Sequence, residues 1–184
     1  VKLTTIYYGS DIIRYTVQTF GCKVNQYESA SVAKAMDEHG YEKTDDIFTA
    51  DIVIINSCSV TENSDKKAKQ LINRIKSSDP MKIVVLTGCF PQAFEKEASA
   101  LDECGIIVGT GAKKEIPALI KRYITSGERI IRIVPRERGE AFEKMTNSGA
   151  DQKTRAYIKI QDGCDQYCTY CICLLYTSDA ADDL

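Results

Sequence analysis

The amino-terminal two thirds of this 184-residue chain predict an α/β fold, a parallel sheet with flanking helices. Short β-branched apolar runs alternate with stretches of helical pattern through residue 128. Two of the runs, Ile52-Val53-Ile54-Ile55 and Ile83-Val84-Val85-Leu86, are apolar without interruption, as expected of strands covered on both faces. Four β-α units follow one another in series, and a helix between successive strands is the connection that a parallel sheet requires.

The elements are read in order. Ile12 to Phe20 has strand composition and is ended by Gly21. Asn25 and Glu28 have the spacing of a capping box, with Asn25 at the cap, so a helix is expected to about His39, where Gly40 stops it. The strand Ile52–Ile55 precedes a helix from Lys66 to Ile75 that gathers Ala68, Leu71, Ile72 and Ile75 on one side. After the strand Ile83–Leu86 come a helix from about Gln92 to Asp102, a short strand Ile106–Val108 and a helix from about Lys113 to Thr125. Beyond Gly127 the pattern changes to a strand over Arg129–Val134 and a polar stretch to Arg155, then a new strand, Ala156–Ile160. The expected organisation is an α/β domain over residues 10–128, a linker over 129–155 and the first strand of a second domain from 156.

Hydrophobic residues make up 43% and charged residues 27% of the chain, a composition that excludes a largely disordered or fibrous protein. No apolar run is long enough to cross a bilayer and no basic-then-apolar leader opens the sequence, so no membrane association and a cytoplasmic location are expected. Val1 stands where an initiator Met would, which reads as a piece of a longer protein. The net charge of -2 is unevenly distributed: residues 111–159 hold 12 Lys/Arg against 6 Asp/Glu. Arg129, Arg132, Arg136 and Arg138 could meet a phosphate backbone, although a solvated surface is the stronger reading of such a stretch.

Eight cysteines stand at 22, 58, 89, 104, 164, 168, 171 and 173. Without a secretory leader, metal-binding or catalytic thiolates are favoured over disulfides. Cys22, Cys58 and Cys89 each follow the end of an expected strand, and in an open parallel sheet those ends share the edge where ligands bind. A small buried side chain explains any one of them; three at equivalent positions point to a shared metal or cluster site. Cys164, Cys168 and Cys171 form Cys-x3-Cys-x2-Cys, a loop short enough to wrap three thiolates around one cubane and leave the fourth iron open. Zinc is the competing ligand class, but its usual second knuckle is missing. Cys104 is read as a buried thiol and His39 as a helix-end residue.

The segments Thr19–Gln26, Asn56–Thr61, Thr87–Gln92 and Tyr157–Cys164 closely resemble the methylthiotransferases, a branch of the radical S-adenosyl-L-methionine (SAM) enzymes. Within that family Lys23-Val24-Asn25 and the Ile158-Lys159-Ile160-Gln161-Asp162-Gly163-Cys164 entry most resemble the branch that modifies threonylcarbamoyladenosine in tRNA. The resemblance implies two 4Fe-4S clusters, an auxiliary one on Cys22, Cys58 and Cys89 and one on Cys164, Cys168 and Cys171 that binds SAM. It further implies radical transfer of a methylthio group to carbon 2 of an adenosine in the tRNA anticodon loop, and an electron donor as partner. A ribosomal-protein methylthiotransferase and a non-catalytic iron-sulfur or zinc RNA-binding module are the alternatives. The family pattern ends at Ile172; residues 173–184 fit none of it and read as a non-native tail after a truncated radical SAM barrel, which makes inactivity of this fragment an expectation.

Overall fold

The structure, a computed structural model, describes residues 12–58, 62–135 and 159. Six parallel strands form one sheet: β1 Arg14–Phe20, β2 Glu42–Lys43, β3 Ile52–Ser57, β4 Ile83–Gly88, β5 Ile106–Val108 and β6 Ile130–Arg132, in the order β2-β1-β3-β4-β5-β6. The helices are α1 Lys23–Glu38, α2 Glu62–Ser78, α3 Cys89–Ala93, α4 Glu95–Ser99 and α5 Ile116–Ser126, the last entered through a short 3-10 turn at Lys113–Glu115. The expected parallel α/β architecture is therefore the one observed.

Strand periodicity explains how both faces are covered. Successive side chains leave a strand on opposite sides. Ile52, Ile54, Ile83, Val85, Ile106 and Val108 pack with Val32, Met36, Ile116 and Ile120 of α1 and α5. Val53, Ile55, Val84, Leu86 and Ile107 pack with Ala68, Ile72 and Ile75 of α2 and with Phe90 and Ala98 of α3 and α4. The uninterrupted apolar runs in β3 and β4 thus supply two cores at once.

Several boundaries differ from the sequence reading. Helix α1 starts at Lys23 with Cys22 at its cap, so Asn25 is the third helical residue and not the cap. Helix α2 begins at Glu62, one turn before Lys66. The helix expected over Gln92–Asp102 is two short helices that begin at Cys89 and break at Phe94, whose backbone (φ -126, ψ 60) is not helical. Phe94 instead turns its ring toward Phe90, centroids 6.1 Å apart. The two-residue β2 was not foreseen, because two exposed polar residues carry no periodicity; they pair through the main chain with Arg14 and Tyr15.

The largest difference is at the far edge. The strand foreseen at Arg129–Val134 is present as β6, and it pairs in parallel with β5, Ile106 with Ile130 through Val108 with Arg132. The sheet therefore extends past residue 128 into the segment read as linker. Ile130 is buried in the α1/α5 core while Ile131 is 44% exposed, the alternation of an edge strand. Ile130→Ala should lower the free energy of unfolding by about 2 kcal/mol or more and Ile131→Ala by about 0.5 kcal/mol or less, measured by urea denaturation. Equal losses would mean that β6 is not part of the cooperative unit.

Candidate functional site

The site is set by register. β1, β3 and β4 are neighbours, and Thr19, Asn56 and Thr87 pair across them, followed by Phe20, Ser57 and Gly88. The three strands consequently end level. Cys58 and Cys89 come one residue after the last paired row and Cys22 two residues after it, which brings all three to one stretch of the carboxyl edge. Cys22 is exposed, Cys89 half-buried and Cys58 buried, and none of the three is disulfide-bonded, nor is Cys104.

Two glycines make this crowding possible. A Cβ on Gly21 would lie 2.5 Å from Asn25 Oδ1 and 2.7 Å from the Cβ of Cys58, so only glycine lets the exit of β1 pass against Cys58. Gly88 has φ +108, and a Cβ there would lie 2.1 Å from the carbonyl oxygen of Ser57. It turns the chain sharply enough for Cys89 to be the first residue of α3.

A buried polar network fixes Cys22 from below. Its N–H donates to Asn25 Oδ1 at 3.2 Å and its thiol to the same oxygen at 3.1 Å, so the capping box is built from Cys22 and Asn25. Asn25 Nδ2 donates to Asn56 Oδ1 at 3.3 Å and to the carbonyl of Ser57 at 3.4 Å. Asn56 Nδ2 answers with bonds of 3.0 Å to the Asn25 carbonyl and to Ser29 Oγ. Both asparagine side chains are buried, so each bond is made away from competing water. Glu28, expected to close the capping box, is turned inward onto Lys113. Asn56 and Ser29 were not singled out from the sequence; the available signal was the polar Asn56-Ser57 pair closing an apolar run.

The donor chemistry of the edge suits a thiolate-bound metal or iron-sulfur cluster. Among the described residues, no three His, Cys, Asp or Glu side chains are gathered closely enough to hold a metal ion. The cysteines thus share an edge without forming a closed cage, and closing it calls for the local ordering that accompanies metal binding. Cys164, Cys168 and Cys171 lie outside the described residues, as does the strand Ala156–Ile160 apart from Lys159.

The residues read as structural behave so. Cys104 is fully buried, and burial pushes its thiol up to about 12. His39 follows α1, its Nδ1 2.7 Å from the Ala35 carbonyl oxygen. Two of the arginines weighed as phosphate contacts have protein partners. Arg129 donates to the carbonyls of Ser99, Leu101 and Cys104 and to Asp102, and Arg132 pairs with Glu115 at 3.2 Å. Arg136 and Arg138 lie outside the described residues. No helix among the described residues is long and apolar enough to cross a membrane.

Comparison with known proteins bears directly on this edge. The family described as "Uncharacterized protein family UPF0004" matches residues 14–109, the segment that carries all three strand-end cysteines. Curated relatives include two proteins named "Threonylcarbamoyladenosine tRNA methylthiotransferase MtaB". The one from Bacillus subtilis is 35% identical over 84% of this chain and 34% of its own length; the one from Thermotoga maritima is 38% identical over the same shares. A protein from Clostridium novyi named "tRNA-2-methylthio-N(6)-dimethylallyladenosine synthase" is 32% identical over 86% of this chain and 36% of its own length. The chain spans about a third of the length of these relatives.

The contrast between the edge thiols and Cys104 is directly measurable. Iodoacetamide at pH 8 should alkylate Cys22 and Cys89 at least about tenfold faster than Cys104, because a thiol at about 12 is almost wholly protonated there. Peptide mass spectrometry reads the rates, and labelling of Cys104 at the pace of Cys22 would contradict its burial.

Proposed function

The chain belongs to the UPF0004 family, and from that premise we propose that it is the amino-terminal part of a tRNA methylthiotransferase working by radical SAM chemistry. The observation that carries the proposal is the level ending of β1, β3 and β4, with Cys22, Cys58 and Cys89 just beyond the last paired row. In this reading those three cysteines hold an auxiliary 4Fe-4S cluster, and Cys164, Cys168 and Cys171 hold the cluster that binds SAM. When bound, the two clusters and SAM supply the radical and the sulfur for methylthio transfer to carbon 2 of an adenosine. An electron donor and tRNA are the partners, and the cytoplasm is the compartment that both imply.

The chain's own residues provide position. Gly21 and Gly88 let the chain place the three cysteines along one edge, and the Asn25–Asn56 pair fixes the Cys22 backbone against β3. Cys22 also caps a sixteen-residue helix whose free N–H groups favour negative charge on a bound thiolate group. Among possible adenosines, N6-threonylcarbamoyladenosine is favoured by two relatives named for it, at 35% and 38% identity, against 32% for the dimethylallyl protein, while a third relative named for it stands at 29%.

Anaerobic reconstitution of the chain with iron and sulfide tests the metal assignment. Replacing Cys22, Cys58 or Cys89 with Ala should lower bound iron and sulfide by about one four-iron cluster, and Cys104→Ala should leave both unchanged. Stoichiometric zinc without sulfide would contradict the cluster. The substrate is tested in cells that lack the full-length gene: mass spectrometry of tRNA nucleosides should show methylthio-threonylcarbamoyladenosine lost, and unchanged methylthio-adenosines would count against a tRNA substrate.

A further inference from the structure

Two of the edge cysteines cap or begin a helix, and each is followed three residues later by a carboxamide, Cys22 by Asn25 and Cys89 by Gln92. Asn25 Oδ1 reaches back to Cys22 itself. Gln92 reaches sideways. Its Oε1 accepts from the N–H of Thr110 at 2.9 Å and from Thr110 Oγ1 at 3.3 Å, and its Nε2 donates to the Val134 carbonyl at 3.0 Å. Thr110 stands two residues beyond β5 and Val134 two beyond β6, so one buried side chain joins α3 to the exits of two strands that carry no cysteine. Gly109 is part of the same contact. Its φ lies outside the left-handed region, yet a Cβ there would overlap Gln92 Oε1. The carboxamide, and not the backbone, therefore requires glycine at 109.

From this geometry we infer that Gln92 is a positioning residue for Cys89. Helix α3 has five residues, too few to hold helical form by themselves, so tertiary contacts decide where it lies. Phe90 anchors it in the α2-side core, but apolar burial is non-directional. The Gln92 carboxamide adds three directional bonds, and these fix the rotation of the helix. Cys89 and Gln92 are three residues apart, hence about 4.5 Å along the axis and on neighbouring parts of one face. A turn of α3 that breaks the Gln92 bonds carries the thiol with it. The chemistry of the side chain matters as much as its length: the Thr110 N–H only donates and the Val134 carbonyl only accepts, so a carboxamide satisfies both, whereas a carboxylate sets oxygen against oxygen. Cys22 is thus held from the β3 side and Cys89 from the β5–β6 side, on either flank of Cys58. The value of this placement for a cluster rests on the function proposed above; the placement itself does not.

Thiol alkylation of the 184-residue chain with iodoacetamide, read by peptide mass spectrometry, tests the placement without a cluster. In Gln92→Glu, Cys89 should react at least about threefold faster, while Cys22 and the buried Cys104 keep their rates and report that the domain is folded. Gln92→Met, which removes the polar atoms, should do the same and serves if Gln92→Glu does not fold. Gly109→Ala should reproduce the effect by displacing the carboxamide, and Gly109→Ala with Gln92→Met should add nothing beyond the larger single effect, since both act on one contact. A spectroscopic reading separates position from stability. In the chain reconstituted with iron and sulfide, with Cys164, Cys168 and Cys171 replaced by Ala, the electron paramagnetic resonance spectrum of the reduced cluster should change shape in Gln92→Glu. It should not change in Ile75→Val, a core truncation in the last turn of α2. An unchanged Cys89 rate in both Gln92 variants, or equal acceleration of Cys22, Cys89 and Cys104, would overturn the inference, as would an unaltered spectrum in Gln92→Glu. If the alkylation pattern holds and the chain with Gln92 intact forms no cluster, the metal assignment fails and the positioning of Cys89 stands.

Discussion

Everything at the carboxyl edge depends on the register of three parallel strands. Pairing of Phe20 with Ser57 and of Ser57 with Gly88 fixes where each strand stops, and a shift of one residue would send every side chain of the shifted strand to the other face. Such a shift is prohibitive because both faces are already apolar cores built from alternate residues of the same strands. Hydrophobic burial thereby specifies the position of three thiols, although none of the burial involves Cys22 or Cys89. The three thiols sit where the packing ends, and the packing decides how level that ending is.

The polar network beneath the edge turns this coarse placement into a local one. Burying two asparagine side chains costs free energy unless their hydrogen-bonding groups are met, and Asn25 and Asn56 largely meet each other's. Because Asn25 also holds the Cys22 N–H, the start of α1 is attached to the end of β3 through side chains and not only through the chain. Each asparagine is one residue type whose shape serves two elements at once, which explains why a polar pair is retained in a position that packing alone would fill with aliphatic groups.

How much of this could be read from the sequence follows from the range of the interactions. β3, β4 and the helix between them were legible because β-branched runs and a 3.6-residue apolar spacing are local signals, and the strand-end cysteines followed from topology. The start of α1 was misplaced by three residues because Asn25 and Glu28 fit a familiar cap spacing, whereas the actual cap is a cysteine, a type rarely found there. The roles of Asn56, Ser29 and Glu28 were not legible at all. Apart from the Ser29–Thr19 bond, their partners lie 27 to 131 residues away, and no local pattern encodes a contact of that separation. The Gln92–Asp102 helix was drawn as continuous because nothing in its composition reveals that Phe94 leaves helical backbone, its ring tilted toward that of Phe90.

Arg129 has a consequence for anyone who wishes to study the sheet domain in isolation. Its guanidinium binds three carbonyls between Ser99 and Cys104, and three residues later the strand carbonyl of Arg132 receives the N–H of Gly109. The amide of Gln92, which accepts from Thr110, reaches on to the carbonyl of Val134. A gene trimmed after residue 128, where composition suggests a seam, would discard Arg129 and β6 and expose the flank of β5 as a raw edge open to pairing with other chains. A stop codon placed after Pro135 would keep these bonds. The choice between those two primers separates a closed domain from one that carries its own seed for aggregation.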